Sequence, residues 1–186
     1  MTAIWNNFDN GSKALEYYAD VVTALGAATA SSSDEIATGL EKFAAVGETV
    51  GLSYEYATAA LATVTAQTRQ SADVVGTAFK TLFARMQDLK LGETLEDGTT
   101  LGQYSEAMFK VGVNIKDANG ELKTMNTIID ELGTKWNTLA KDEQVALAKS
   151  VAGLRQYNQF MALMNNYDYF KDNVDIAVNS TGTLQK

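Results

Sequence analysis

Glu93, Glu96 and Asp97 stand close together in a glycine-rich stretch, G-E-T-L-E-D-G-T-T-L-G-Q over residues 92–103. Two carboxyls flanking a glycosidic bond, one protonated and one ionised, are what sugar hydrolysis requires. Such a pair works only when its surroundings push the two pKa values apart. No apolar pocket is implied near these three, so a solvated acidic loop is the plainer reading. A second acidic turn, Asp117-Ala-Asn119-Gly120, resembles the middle of a calcium loop. Setting Gly120 at the loop's sixth position places Ile115 first and Asn126 last, and neither supplies a carboxylate. The same residues read better as a hairpin turn. Lys149 and Ser150 are neighbours on a helix and diverge by about 100°, so they form no serine–lysine dyad. The glycines match neither the dinucleotide fingerprint nor the phosphate-binding loop. Asn179-Ser180-Thr181 fits a glycosylation acceptor, but nothing marks the chain for a pathway that would use it. Phe79 and Phe83 and the tyrosines recur at helical spacing and read as core.

The composition narrows the chemistry further. The chain has 186 residues, with no histidine, no cysteine and no proline. Without histidine the commonest general base and transition-metal ligand is missing, and without cysteine there is no thiolate or disulfide. Average usage would supply roughly nine prolines in this length. Their absence, with hydrophobic residues at 46%, points to a mainly helical fold. The net charge of −8 repels nucleic-acid phosphates, so sequence-specific nucleic-acid binding is not expected. No signal peptide and no run of 18 apolar residues is present, so no membrane insertion is expected of this segment. Both ends look abrupt, as in a piece of something longer. No cofactor and no catalytic residue is indicated.

The elements that must position these residues follow from periodicity. Trp5 and Phe8 precede a polar break. A helix from near Ser12 buries Leu15, Tyr18, Val22 and Leu25. Ser32 and Glu35 form a capping box before a stripe of Ile36, Leu40, Phe43 and Val50. Ser53 opens a helix lined by Tyr56, Ala60, Leu61 and Val64. Ser71, with Asp73 in its first turn, opens the strongest apolar face: Val75, Phe79, Leu82, Phe83, Met86 and Leu89. Beyond the loop, a short helix runs from Ser105 to Lys110. Val113, Ile115 and Leu122 around Asn119-Gly120 signal a two-strand hairpin. Helix returns at Met125 with Ile128, Ile129, Leu132, Trp136 and Leu139 on one face. Two helices at 142–152 and 155–165 then meet at Gly153. The fold expected is a compact multi-helix bundle, mainly α, with one small β-hairpin around residues 113–123. The divisions expected are a helical subdomain at 1–91, a loop at 92–103, a helical subdomain with the hairpin at 104–178, and a frayed tail at 179–186.

Four stretches, in order, resemble the helical region of phage tail tape measure proteins. They are S-A-D-V-V-G-T-A-F-K-T-L-F-A-R-M from Ser71, L-G-Q-Y-S-E-A-M-F-K-V-G-V-N-I-K-D-A-N-G-E-L from Leu101, T-I-I-D-E-L-G-T-K-W-N-T-L from Thr127, and A-G-L-R-Q-Y-N-Q-F-M-A-L-M-N-N from Ala152. The resemblance covers roughly residues 30–170. The most specific part is the corner Gly153, Arg155, Gln156, Tyr157, Asn158 and Phe160, with Trp136, Asn119 and Gly120 as lesser signatures.

The resemblance implies a structural, non-enzymatic component of a phage or prophage tail, involved in assembly and tail length. It implies residence in the tail lumen after assembly in the bacterial host cytoplasm. The partners it implies are other tail proteins (tube, assembly chaperones and distal proteins) and further copies of itself. Because the helices break so often, the segment is expected to be a folded assembly module and not the measuring rod. Gly153 is expected to provide a Schellman-type stop, and Arg155 to bond the carbonyls freed there. The competing functions are a cell-wall-degrading tail domain acting through Glu93, Glu96 or Asp97, and a helical adaptor unrelated to phage.

Overall fold

The computed structural model describes residues 5–8 and 13–181. The expected helix start at Ser12 and the tail beyond Thr181 lie outside the described residues, as does the Trp5 side chain. Five of the described helices begin where a serine or threonine side chain accepts from a free amide of the first turn. After a single turn, α1 (Trp5–Phe8), and α2 (Leu15–Thr29) comes α3 (Ser33–Thr49). At its start Ser32 accepts from the Glu35 amide at 3.1 Å and Glu35 accepts in return from the Ser32 amide at 3.0 Å. Ser53 and Ser71 cap α4 (Tyr54–Thr68) and α5 (Ala72–Lys90). Thr100 and Gln103 form a second reciprocal box at the head of α6 (Leu101–Lys110). The helix therefore starts inside the stretch expected to be loop, which runs only to Thr100. Thr124 caps α7 (Met125–Trp136), and α8 (Lys141–Ala152), α9 (Tyr157–Asn165) and α10 (Tyr167–Val178) complete the order.

No strand forms among the described residues. The expected hairpin at 113–123 reduces to one antiparallel bridge between Lys116 and Leu122. The turn itself is present: Asp117 Oδ1 accepts from the Asn119 amide at 2.8 Å and the Glu121 amide at 3.0 Å, and Gly120 takes φ +79°. The arms are consumed on either side. The Val113 amide closes the end of α6 on the Met108 carbonyl at 3.0 Å, and Thr124 already belongs to α7 as its cap. Too little chain remains for a ladder.

Helix α4 sits in the middle. Every residue from Ala57 to Val64 is buried, so this stretch has no solvent face. Thr58 returns its hydroxyl to its own helix, donating to the Tyr54 carbonyl at 2.6 Å, while Thr63 accepts from Asn173 of the last helix at 3.0 Å. Around it pack α2, α3, α5, α9 and α10. One apolar cluster runs from Tyr18 in α2 to Ala177 in α10, drawing on helices before and after the 92–100 loop. The stripes predicted for α3 and α5 are buried, as is that of α7 from Ile128 to Trp136; Leu139 lies beyond the end of α7 and is half-buried, and Leu15, assigned to the α2 face, is 54% exposed.

Helices α3 and α5 make the most extensive contact among the described elements, and glycines permit it. A Cβ on Gly76 would stand 2.4 Å from the Gly39 carbonyl oxygen, and one on Gly39 would stand 2.7 Å from that of Ala72. This close approach lets Phe43 of α3 reach the rings of Phe79 and Phe83, with centroids 5.4 and 6.0 Å away. Aromatic contacts of this kind are each worth about 0.5–1.5 kcal/mol beyond simple burial. Gly76→Ala should therefore destabilise the chain by about 1–3 kcal/mol in urea unfolding, through overpacking against backbone. Gly102→Ala, in the first turn of α6 where a Cβ meets nothing closer than 3.8 Å, should be neutral or stabilising.

Candidate functional site

The corner after α8 is built by a residue far away in sequence. A helix end leaves carbonyls without intrahelical donors. Here Arg85 of α5 supplies them: its Nη2 donates to the Ser150 carbonyl at 3.0 Å and its Nε to the Val151 carbonyl at 3.1 Å. Its Nη1 pairs with Asp97 Oδ2 at 3.0 Å. Arg155, the residue expected to fill this role, is exposed, and Arg85 holds both carbonyls in its place. Gly153 is also not a Schellman stop. At φ +83° and ψ 168° it lies in the extended region of positive φ that only glycine occupies readily, not in the left-handed helical one. A Cβ there would stand 3.2 Å from Arg85 Nη1.

A second polar node joins three helices. Asp130 of α7 accepts from Tyr56 of α4 at 2.5 Å and from Tyr167 of α10 at 2.8 Å. Lys171 of α10 donates to Tyr56 Oη at 2.6 Å and reaches Asp130 at 3.3 Å, with its ammonium 4.8 Å from the Tyr56 ring centroid. Burial, and then the bond to Asp130, push both phenols above their ordinary range. Burial alone would lower Lys171, but the bond to Tyr56 and the Asp130 charge outweigh it and hold the ammonium form. A neutral tyrosine donating to a carboxylate is neither base nor nucleophile, so this node is a staple. Tyr167 also lies against Gly133, where a Cβ would meet its ring at 2.3 Å.

The residues singled out by sequence are scattered among structural duties. The amide of Thr99 donates to Asp97 at 3.0 Å, and bonding to Thr99, reinforced by Arg85, holds Asp97 below the usual carboxylate range. An acid kept ionised cannot be the proton donor of a hydrolase. Glu93 and Glu96 are exposed. Trp136 is buried, donates to Asn165 at 2.7 Å and meets Phe160 edge-on at 5.9 Å. Tyr157 receives the Lys149 ammonium 5.3 Å from its ring, and Ser150 Oγ turns back to the Ala146 carbonyl, so Lys149 and Ser150 part as expected. Gln156 is half-buried, and Asn158, Asn119 and Gly120 are exposed. Ser180 is buried, with its hydroxyl on the Ala177 carbonyl at 2.8 Å. A groove of about 790 Å³ opens between the α2–α3 and α4–α5 turns. Of its acids, Glu35 closes the α3 cap and Asp73 pairs with Lys42 at 3.0 Å. Among the described residues no group of three or more acids, histidines or cysteines is placed to hold a metal.

Sequence reasoning missed Arg85, Asp130 and Lys171. They are charged residues inside amphipathic stretches, and no local pattern announces which of them reach across the core.

Arg85→Ala should lower stability by about 1–3 kcal/mol, because it leaves two carbonyls without donors, while Arg155→Ala should leave the melting temperature unchanged. The node also sets an alkaline limit. Tyr56, Tyr167 and Lys171 are all raised in the fold, so their contribution is full below the unfolded values near 10 and is lost as pH rises through the folded ones. Melting temperature should fall above about pH 10, and the fall should be shallower in Tyr167→Phe.

No solved structure matches the chain. A family model described as phage-related minor tail protein matches residues 1–153, which takes in every helix from the first turn to the Arg85-held corner. Over that span the chain belongs to the phage-related minor tail protein family.

Proposed function

We propose that this chain is a folded, non-enzymatic assembly module of a tape measure protein, lodged in the tail lumen. The observation that carries the reading is the family match over residues 1–153, joined to the four tape-measure-like stretches from Ser71 to Asn166. Membership in a tail family supports a structural role and other tail proteins as partners. The finer reading has physical support. The longest described helix, α5, has 19 residues and spans about 28 Å, and the chain folds back repeatedly between helices. A segment that compact contributes shape and contact surface, while length is measured by other parts of a longer protein. The net charge of −8 suits a lumen through which DNA must pass without sticking.

A non-enzymatic role is likewise proposed, supported by the engagement of the polar groups in caps, clasps and staples. Contacts with tube, chaperone and distal proteins, and loading in the host cytoplasm, belong to the same reading.

Deleting this segment in frame from the parent protein should abolish or misassemble tails, seen by electron microscopy. Infectious tails shortened only by the deleted fraction would make it a piece of ruler. On a peptidoglycan zymogram the chain should give no clearing; clearing lost in Glu93→Gln or Glu96→Gln would overturn the non-enzymatic reading.

A further inference from the structure

The corner at 153–156 holds its shape against its own sequence. Leu154, Arg155 and Gln156 are good helix formers, and only Gly153 resists. In an uninterrupted helix the Ser150 and Val151 carbonyls would accept from the Leu154 and Arg155 amides. Those are the two carbonyls that Arg85 occupies. Arg85 thus replaces the hydrogen bonds of a straight helix and holds the bend in their place. Leu154 is 73% exposed in the bent form. Straightened, it would fall at i+7 from Leu147 and i+3 from Val151, both buried residues of α8. The bend therefore has a defined alternative: one helix from Lys141 to Asn165.

What the bend positions is an arm, α9–α10, that docks on the rest of the chain through matched polar pairs as well as apolar contact. Gln159 donates to Gln70 at 3.1 Å, Asn173 to Thr63 at 3.0 Å, and Trp136 donates to Asn165 at 2.7 Å. Lys171 and Tyr167 complete the Asp130 node. Gln159 Oε1 is buried without a partner, so the seat is imperfectly satisfied as it stands. Each pair is specific to this arm and this seat, and each would re-form unchanged if the arm came from another copy.

We propose that the corner is a latched hinge and that α9–α10 exchanges between two copies of this chain, giving an arm-swapped dimer when Arg85 lets go. A short hinge whose straightened form is a regular helix offers a route to such exchange. The seat on α4 and α7 is filled in both forms, and the difference lies in the corner. The inference rests on the hinge and the arm alone, and holds whether or not the chain acts in measuring a tail.

The test uses the 186-residue chain and light scattering across a concentration series. Gly153→Ala, which strains the bend and favours the straight helix, should raise the dimer association constant by at least about tenfold. Arg85→Gln, which lifts the latch with Gly153 intact, should do the same and guards against a misfolded first variant. If both remain monomeric at every concentration, the proposal fails. To show that the arm is what is exchanged, Asp130→Lys and Lys171→Asp are made separately in the Gly153→Ala background and refolded together. In a swapped mixed dimer the body carrying Asp130→Lys receives the arm carrying Lys171→Asp. The other seat regains the native Asp130 with the native Lys171, so both seats hold an opposite-charge pair. This dimer should melt above either variant alone. A mixture that melts as the sum of its parts would mean that any dimer forms through another surface, and would overturn the exchange.

Discussion

A helix without a solvent face sets the terms for this molecule. Residues Ala57–Val64 of α4 are buried on every side, so the remaining helices must form a complete jacket. Small side chains make that jacket tight: alanines let neighbours approach, and the Thr58 and Thr65 hydroxyls bond the preceding turn of their own helix. The C-terminal helix is part of the jacket, because α10 lies on α4 and α2. The order of elements along the chain is thus not their order in space, and the core closes only when the last helix arrives.

Against that apolar centre, the polar side chains work as connectors between distant segments. Arg85 ties α5 to the end of α8 and to the loop at Asp97. Asp130 ties α7 to α4 and α10. Asn126 ties the start of α7 to the α3–α4 turn, accepting from the Ser53 amide and donating to its hydroxyl at 3.0 Å each. Interactions of this type specify which surfaces meet more than they add to stability, since each must offset the desolvation of its own polar groups.

Much of the fold was legible locally. Ser32, Ser53 and Ser71 stand at the helix starts they announce, and the α5 stripe from Val75 to Leu89 is buried as its spacing implies. Local signals failed where two demands met on one segment. The Asn119-Gly120 turn formed, but the neighbouring helices claimed its flanks and left one bridge. Thr100 and Gln103 carry a capping signature that the surrounding glycines concealed. The candidate site was legible as a place, the Gly153 corner, and not as a mechanism. Gly153 is the turning point, yet the group that secures it lies 68 positions earlier (153 − 85), beyond any helical period.

The ring of Tyr167 occupies the space a Cβ at position 133 would need, so neither position is free to drift without the other. Gly133 lies within the family-matched span and Tyr167 beyond it. The two should therefore covary across relatives, and a larger residue in place of Gly133 would mark a lineage whose α9–α10 arm is lost, displaced or differently seated. A single alignment column would then report the presence of an element encoded elsewhere in the gene.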